Sequence, residues 1–401
     1  MLFKWQKGCN NSPINEFKVP GDLSSGIFFV STFEAMRFLR TIFFLSFFLG
    51  ISIQLKAQDI GVFTDVNNRM YQFVRGSFQQ IYYQQTRGVY VNNKFVAYVD
   101  SKGDVYVHYN GEKVLMAQTF NKIANTDNIF LVQTASVLRI FDQGVRHILT
   151  SNTTGYVYND SLVLFQDAIG GYLKYYYQDE IHEVAMVVGD YPFSYTEIGA
   201  NTFVYKDNAG NNQLFWRGKF YDLFSSNERA KFRCGQDVAA FNDPQSQTFV
   251  VFDNGYVIDQ EPQHALTYYC GNNFIYYKDA SEAHKVYKEE NTYDLGFDLQ
   301  NVRVRDSMVV YQDVGITRIW YDEELYQIFG TQSIKNEQID GGIMAYENQW
   351  GGVTAFVRGK EVEITRSRVE EFKLTGNVIV MRMGPSSYRI WWNGKMHEFQ
   401  S

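Results

Sequence analysis

The stretch that decides the fold is Met308-Val309-Val310-Tyr311-Gln312-Asp313-Val314-Gly315-Ile316-Thr317-Arg318-Ile319-Trp320-Tyr321. An apolar and aromatic run ends in an aspartate, a short turn follows, and a second aromatic run begins. β-Branched and aromatic residues favour strands, while Asp and Gly mark the turns between them. The stretch therefore predicts a hairpin of two short β-strands.

The same pattern recurs ten times between residue 60 and the C-terminus. The residues that end the first apolar run are spaced 33 to 40 positions apart: Asp65, Asp100, Thr134, Asp167, Asp207, Asp243, Asp279, Asp313, Asn348 and Gly384. A nearly fixed period over most of a chain is typical of a repeat architecture. Another extended segment often precedes the apolar run, as in Asn301-Val302-Arg303-Val304-Arg305. Each unit therefore holds up to four short strands.

Four antiparallel strands and their turns fill a unit of this length, and a radial array of such sheets is a β-propeller. We predict an all-β fold in which residues 58–401 form a propeller, with a single ring of eight to ten blades favoured. The first copy begins at its second strand, near Ile60, with no obvious strand before it. The alternatives are a linear β-solenoid, two smaller rings, or eight or nine blades with an irregular closure.

The composition shows no sign of a linker or of a nucleic-acid surface. Only 6 prolines occur, 20% of the residues are charged, and no low-complexity block marks a domain boundary. The net charge is −7 and no basic run occurs in the repeats. We therefore expect no nucleic-acid partner, because such surfaces need clustered positive charge.

The N-terminal region has the layout of an export signal. Met36-Arg37-Phe38-Leu39-Arg40 is a short basic start, residues 41–53 are mostly apolar, and Ala57 precedes Gln58. This layout predicts a signal peptide over 36–57, since the apolar part is too short to favour a membrane span. Residues 1–35 do not match the repeat, and we interpret them as an upstream start artefact or a disordered leader. An uncleaved anchor helix is the alternative.

We expect the mature chain to be exported to the periplasm or the extracellular space. No Cys comes directly after the apolar stretch, so we expect no lipoprotein anchor. No later segment has the roughly twenty apolar residues of a membrane span. The Ala57-Gln58 junction resembles those of exported proteins of the Bacteroidetes.

Two cysteines occupy equivalent positions in adjacent repeats. Cys234 and Cys270 are 36 residues apart and each is followed by Gly. An even pair in an oxidising compartment suggests a disulfide, but the Cα atoms must then lie within about 7 Å of each other, which requires a position near the ring axis. Two buried thiols are the alternative.

The acidic residues at the strand ends are interpreted as turn residues. Aspartate there accepts hydrogen bonds from the backbone N–H groups of the next turn, a local role that every repeat needs separately. The predicted structural residues are Asp65, Asp100, Asp167, Asp207, Asp243, Asp279, Asp313 and Asn348.

The sequence predicts no catalytic residue, no metal ligand set and no cofactor. The six histidines are scattered, without the close pairing of a zinc site, and neither a Gly-x-Ser-x-Gly motif nor a phosphate-binding glycine loop occurs. No local sequence motif therefore indicates a chemical activity for this chain.

Paired aromatic residues are the candidate binding residues. Aromatic residues make up 17% of the chain, and several are consecutive on predicted strands, where neighbours face opposite sides. One of each pair should pack between blades and the other could face solvent, where exposed aromatic patches bind proteins or sugars. The candidates are Tyr176, Tyr269, Tyr277, Trp320, Tyr321, Trp391 and Trp392.

The repeats resemble those of the periplasmic WD40-like propellers typified by the TolB C-terminal domain. The resemblance lies in copies such as Phe95-Val96-Ala97-Tyr98-Val99-Asp100-Ser101-Lys102-Gly103-Asp104-Val105-Tyr106-Val107, with a strand, an Asp-x-x-Gly turn and a second strand. No copy has a Trp-Asp dipeptide or a Gly-His start. The resemblance implies a fold and a compartment, and it transfers no functional residue.

From these observations we expect a non-catalytic scaffold that binds an envelope protein through one face of the ring. A glycan-binding propeller that uses exposed Tyr and Trp is the alternative. A propeller enzyme acting on polysaccharide is a third hypothesis, which requires carboxylates from different blades to converge at the axis.

Overall fold

The structure is a computed structural model that describes residues 59–225, 230–328 and 334–401. The predicted leader (1–35) and signal peptide (36–57) lie outside the described residues. The described residues form one compact unit.

Within the described ranges the chain forms thirty-nine strands in ten antiparallel sheets, in which each strand pairs with the next along the chain. We call these sheets blades 1 to 10. Blade 1 has three strands and the others have four. One 3₁₀ helix, Phe193–Tyr195, lies between blades 4 and 5.

Blade 1 comprises β1 Ile60–Thr64, β2 Met70–Val74 and β3 Ser77–Tyr82. Blade 2 comprises β4 Gly88–Val91, β5 Val96–Val99, β6 Val105–Tyr109 and β7 Glu112–Ala117. Blade 3 comprises β8 Lys122–Asn125, β9 Phe130–Thr134, β10 Val137–Asp142 and β11 Val145–Thr150. Blade 4 comprises β12 Thr153–Asn159, β13 Leu162–Asp167, β14 Tyr172–Tyr177 and β15 Glu180–Met186. Blade 5 comprises β16 Glu197–Ile198, β17 Thr202–Lys206, β18 Asn211–Trp216 and β19 Lys219–Ser225.

Blade 6 comprises β20 Phe232–Cys234, β21 Val238–Asn242, β22 Phe249–Asp253 and β23 Tyr256–Glu261. Blade 7 comprises β24 Thr267–Cys270, β25 Ile275–Lys278, β26 His284–Lys288 and β27 Asn291–Gly296. Blade 8 comprises β28 Gln300–Arg305, β29 Met308–Asp313, β30 Ile316–Tyr321 and β31 Glu324–Gln327. Blade 9 comprises β32 Lys335–Asp340, β33 Ile343–Glu347, β34 Val353–Val357 and β35 Lys360–Thr365. Blade 10 comprises β36 Glu371–Thr375, β37 Val378–Gly384, β38 Ser387–Trp392 and β39 Lys395–Gln400.

The up-and-down order of the strands gives the ring two different faces. The turns between first and second strands, and between third and fourth strands, lie at one end of every blade, which we call the turn face. The turns between second and third strands and the links between blades lie at the other end, which we call the connector face. The three strands of blade 1 correspond to the second, third and fourth strands of the other blades.

The first strands form the inner wall of the ring. Asn125 Nδ2 on β8 donates to the carbonyl oxygen of Val91 on β4 over 3.1 Å. Asn159 Nδ2 on β12 donates to the carbonyl oxygen of Ile198 on β16 over 3.0 Å. Neighbouring blades are therefore bonded to one another at the inner strands, while the fourth strands form the outer rim.

The hydrophobic core lies between adjacent blades and is filled by the second and third strands. Residues 162–165 of β13, for example, are all fully buried, whereas the outer strand β39 alternates between exposed and half-buried positions. The rings of Tyr175 in blade 4 and Phe215 in blade 5 lie with their centroids 4.7 Å apart. Large aromatic side chains give short strands enough apolar area to pack one blade on the next.

The ring closes between blade 10 and blade 1. The Phe63 and Tyr388 rings stack with centroids 4.3 Å apart, and the Tyr388 hydroxyl donates to the carbonyl oxygen of Thr64 over 2.7 Å. The Trp392 indole N–H donates to Asp59 Oδ2 over 2.8 Å. The prediction of a single-ring propeller is confirmed with ten blades, and the solenoid and the two smaller rings are wrong.

Blade 1 has no first strand among the described residues, as the sequence predicted, so nine strands make up the inner wall described here. The turns of blades 10 and 2 approach each other at this point. A Cβ atom added to Gly376 would overlap Asn93 Oδ1, so any other residue there would require the Asn93 side chain to move.

Candidate functional site

Four of the seven aromatic candidates are buried. Tyr176, Tyr277, Trp320 and Trp391 are 1%, 0%, 1% and 8% exposed and pack between blades. The expectation that one residue of each pair faces solvent fails for these strands because both faces of the second and third strands contact a neighbouring blade. Their rings offer no stacking surface to a ligand.

The other three candidates are partly exposed but lie in different blades. Tyr269 is 47% exposed on the inner strand β24, with the Arg233 guanidinium 5.8 Å from its ring centroid. Tyr321 and Trp392 are half-buried and end the third strands of blades 8 and 10 at the turn face. The structure therefore does not bring the candidates together as one aromatic surface.

Most of the strand-end residues bind their own turns. A side-chain oxygen accepts a backbone N–H of the following turn in seven cases: Asp65, Asp100, Asp167, Asp207, Asp243, Asp279 and Asn348. Burial alone would raise the pKa of Asp279, but hydrogen bonds from Lys285 and Ser281 lower it to about 2. Asp313 differs, because its carboxylate pairs with Arg318 over 3.1 Å.

Cys234 and Cys270 are free thiols in the structure. Cys270 Sγ lies 3.3 Å from the carbonyl oxygen of Arg233, and Cys234 Sγ lies 3.7 Å from that of Glu197. Burial raises the pKa of both thiols. Both are therefore protonated at neutral pH and are weak nucleophiles, because the thiolate is the reactive form.

The turns between first and second strands converge on the ring axis and line a cavity of about 470 Å³. This axial cavity receives residues from blades 3 to 9, among them Asp127, Gln236, Asn272, Asp306 and Tyr321. A second cavity of about 610 Å³ adjoins it and is lined by the inner strands of blades 8 and 9. No sequence motif identified these residues, because they come from several different repeats.

Hydrogen bonds between neighbouring blades hold these turns in place. The backbone N–H of Asn201 donates to the carbonyl oxygen of Gln236 over 3.2 Å, and that of Gln236 donates to Asn272 over 2.7 Å. The backbone N–H of Asn272 in turn donates to Asp306 over 2.6 Å. This series of main-chain bonds leaves the side chains of the turns free to face the cavity.

Glycine permits this close approach of turns from neighbouring blades. A Cβ atom at Gly235 would overlap the carbonyl oxygen of Gly271, and one at Gly199 would overlap that of Gly235. Either contact is too short for any side chain, so blades 5 and 6 need glycine at this point.

Carboxylates dominate the electrostatics of the axis. Burial, with added repulsion from Asp127, raises the pKa of Asp160, Asp306 and Asp340 to about 6. Positive charge is also present, since Arg305 lines the axial cavity and Arg303 pairs with Glu337 over 2.9 Å in the adjoining cavity. The axis can therefore accept hydrogen bonds and exchange protons near neutral pH.

The described ranges contain no cluster of three His, Cys, Asp or Glu residues arranged to hold a metal ion. They also contain no helix that is long and apolar enough to cross a membrane.

The comparisons with known proteins agree with this architecture. The family model described as a 10-bladed β-propeller domain matches residues 54–397. The chain belongs to this family. Membership of this family establishes the ten-bladed propeller fold. No curated protein matches the chain.

Solved structures resemble this ten-bladed propeller only distantly. The designed protein Ika8 is 13% identical, with a TM-score of 0.31, and the match covers 79% of this chain and 96% of that one. PorZ, a surface component of the type-IX secretion system of Porphyromonas gingivalis, is 11% identical, with a TM-score of 0.23, and the match covers 84% of this chain. The chain spans 57% of the PorZ chain.

The CRINKLY WD40 ectodomain of the Arabidopsis thaliana receptor kinase ACR4 is 10% identical, with a TM-score of 0.29; the match covers 59% of this chain and 91% of that one. Likenesses at this level carry no argument about function.

Proposed function

We propose that this chain is an exported, non-catalytic interaction module that binds an envelope protein through the connector face of its ring. The two faces differ in exposed apolar surface. In the described residues, no exposed large apolar side chain lies in a turn of the turn face, where polar residues and glycine make the tight turns.

Exposed apolar side chains lie on the connector face of several blades; Ile169 of blade 4 and Val188 in the next link are 63% and 93% exposed. An arc of such residues runs along the connector face from the link between blades 6 and 7 to blade 9. It consists of Leu266, Phe297, Val314 and Trp350, which are 54%, 62%, 95% and 50% exposed. Exposed apolar groups that gather on one side of a soluble domain are typical of protein-binding surfaces. We call these four residues the apolar arc.

The conformation and the exposure of Val314 are the main support for the proposal. This residue stands at a turn position with φ of 49°, in the left-handed region that disfavours β-branched residues. Asn or Gly would adopt this turn conformation more readily than Val. The Val314 side chain is 95% exposed, so packing within the fold does not explain the valine. A strained and exposed valine fits a role in contacting another molecule.

The export part of the proposal rests on the sequence of residues 36–57, with its basic start and apolar stretch. The non-catalytic part rests on the missing local motifs. The export part can be tested together with the binding surface in one experiment.

The test is cross-linking affinity capture from an envelope fraction, using the full chain with a C-terminal tag and analysis by mass spectrometry. Val314→Asn suits the turn and should not destabilise the fold, yet combined with Trp350→Ser it should abolish recovery of the partner. The matched control is Val145→Asn, since Val145 is 50% exposed on the outer strand β11.

Equal recovery by all variants, or recovery of no specific protein, would contradict binding through the apolar arc. The mature N-terminus is read in the same experiment. A start at Gln58 supports export, and an intact Met1 contradicts it.

A further inference from the structure

The interface between blades 8 and 9 is open at a position that a hydrogen bond closes in two other interfaces. There, the last residue of a third strand meets the residue before the second strand of the next blade. The Trp216 indole N–H donates to Asp237 Oδ1 over 2.9 Å in this arrangement, and Trp392 donates to Asp59 over 2.8 Å.

Tyr321 occupies the equivalent aromatic position in blade 8, and glycine replaces the acidic partner in blade 9. A Cβ atom added to Gly342 would lie 3.8 Å from Cε2 and 3.9 Å from the hydroxyl oxygen of Tyr321. With no carboxylate there, the half-buried Tyr321 ring makes an edge contact with Phe356 of blade 9, with centroids 5.9 Å apart, and also borders the axial cavity.

Polar side chains without partners surround this ring. Among the described residues, the side chains of Gln236, Asn272 and Ser307 make no hydrogen bond, and all three line the axial cavity with Tyr321. The backbone N–H groups of Gln236 and Asn272 hold the turns together, so the fold does not need the side-chain amides of these residues. Each amide can both donate and accept.

A buried donor lies next to the same residues. The Trp320 ring is 1% exposed, and its indole N–H has no partner in the part of the chain that the structure describes. The ring borders a cavity of about 270 Å³ that shares Gln236, Asn272 and Tyr321 with the axial cavity. A buried polar group without a partner is uncommon in proteins and is costly unless something satisfies it.

We infer that this opening, formed by Gln236, Asn272, Ser307 and Tyr321, binds a neutral carbohydrate. The aromatic ring can pack against the C–H face of a sugar, while two amides, a hydroxyl and the Asp306 carboxylate exchange hydrogen bonds with sugar hydroxyl groups. The cavity of about 470 Å³ lies within the usual range of about 300–1,000 Å³ for small-ligand sites.

This inference does not depend on the proposed protein-binding function. The carbohydrate site lies on the turn face and the axis, whereas the apolar arc lies on the connector face. Variants of one surface leave the other unchanged, so the two proposals fail separately.

The test is ligand-observed NMR saturation transfer on the full chain with maltose, cellobiose, N,N′-diacetylchitobiose and galactobiose, followed by calorimetry for any disaccharide that binds. Gln236→Ala and Asn272→Ala each remove hydrogen bonds to the sugar and should raise Kd about fivefold to tenfold, with no change in Tm. Tyr321→Ala should remove binding, and Tyr321→Phe should retain most of it.

Tyr256→Ala is the matched control, because Tyr256 is 72% exposed on the outer strand of blade 6. It should bind like the unaltered chain. The inference is overturned if none of the four disaccharides binds, or if binding is unaffected by all the cavity variants. Binding of spermidine in place of the sugars would also overturn it, since the axial carboxylates would then be recognising a cation.

Discussion

Buried tyrosines in this chain differ in whether their hydroxyl groups have partners. The Tyr176 hydroxyl lies 3.0 Å from Asp142 Oδ2 and 3.1 Å from Asp179 Oδ1, and Asp142 is itself buried. The Tyr98 hydroxyl is equally buried but makes no hydrogen bond among the described residues. The same substitution at the two positions should therefore have different effects.

Tyr176→Phe is expected to lower the free energy of unfolding by about 1–3 kcal/mol, because Asp142 stays buried and no longer accepts the hydrogen bond from the Tyr176 hydroxyl. Tyr98→Phe removes a hydroxyl that has no partner and should leave stability unchanged or slightly raised. Urea denaturation followed by fluorescence measures both. Equal losses at the two positions would show that the hydrogen bond to Asp142 contributes nothing.

The axial carboxylates give a pH dependence with a defined sign. Burial and repulsion from Asp127 raise the pKa of Asp306 from 3.8 to about 6 in the folded chain. The folded state therefore binds this proton more tightly than the unfolded state, and the charge of Asp306 destabilises the fold as the pH rises from about 4 through about 6.

Asp306→Asn keeps an oxygen that can accept the N–H of Gly341 and removes the charge. It should raise Tm at about pH 8 and have little effect at about pH 4. Glu112→Gln, at an exposed site on the outer strand β7, serves as the control and should show no such difference. The sign is wrong if Asp306→Asn lowers Tm at the higher pH.

The sequence predicted the individual residues of the candidate site poorly. Alternation on a strand predicted that one of Tyr276 and Tyr277 would face solvent, but both are buried because two blades enclose the strand. The axial residues Asp127, Asp160 and Asp306 were missed. Asp160 and Asp306 stand two positions before a second strand and Asp127 stands three, so an alignment of the copies on that strand would have revealed them.

At the scale of elements, one carboxylate joins the last blade to the first. Asp59 Oδ1 accepts from Asn377 Nδ2 over 3.0 Å, and Asp59 Oδ2 accepts from the Trp392 indole. Asp59→Ala removes both bonds and should lower the free energy of unfolding by about 1–3 kcal/mol. Thermal denaturation measures the loss.

Asp190→Ala provides a matched control, because Asp190 is exposed in the link between blades 4 and 5. It should leave Tm unchanged. If the two variants unfold at the same temperature, the closure of the ring depends on the apolar contacts between blades 10 and 1 and not on Asp59.

The sequence predicted the elements well because each blade is a local meander. Apolar runs and turn residues lie within one repeat, so propensity and pattern indicate the strands directly. The longest spacing, 40 residues between Asp167 and Asp207, corresponds to the link that holds the 3₁₀ helix Phe193–Tyr195. Nothing in the repeat predicted that the Phe193 ring would lie on Gly155 of blade 4, where an added Cβ atom would approach it to 2.9 Å.

At the scale of the whole molecule, the number of blades depends on contacts between the two ends of the chain. Phe63 and Phe73 of blade 1 share one apolar cluster with Val378, Tyr388 and Ile390 of blade 10. These residues are more than 300 positions apart, so no local pattern could indicate that ten blades would close. Such contacts also form late in folding because they require a long loop to close first.

A chain that ends at residue 370 should therefore lose more than one tenth of its stability. Removing blade 10 exposes the apolar surface around Phe63 and Phe73, and blade 1 keeps only blade 2 as a neighbour. We expect a broad thermal transition and increased binding of the dye ANS, which reports exposed apolar surface. The control is residues 58–401, which retain every blade and should unfold in one sharp transition without binding the dye. An equally sharp transition in the shortened chain would mean that the blades are stabilised by their neighbours alone, as in an open solenoid, and that closure adds nothing.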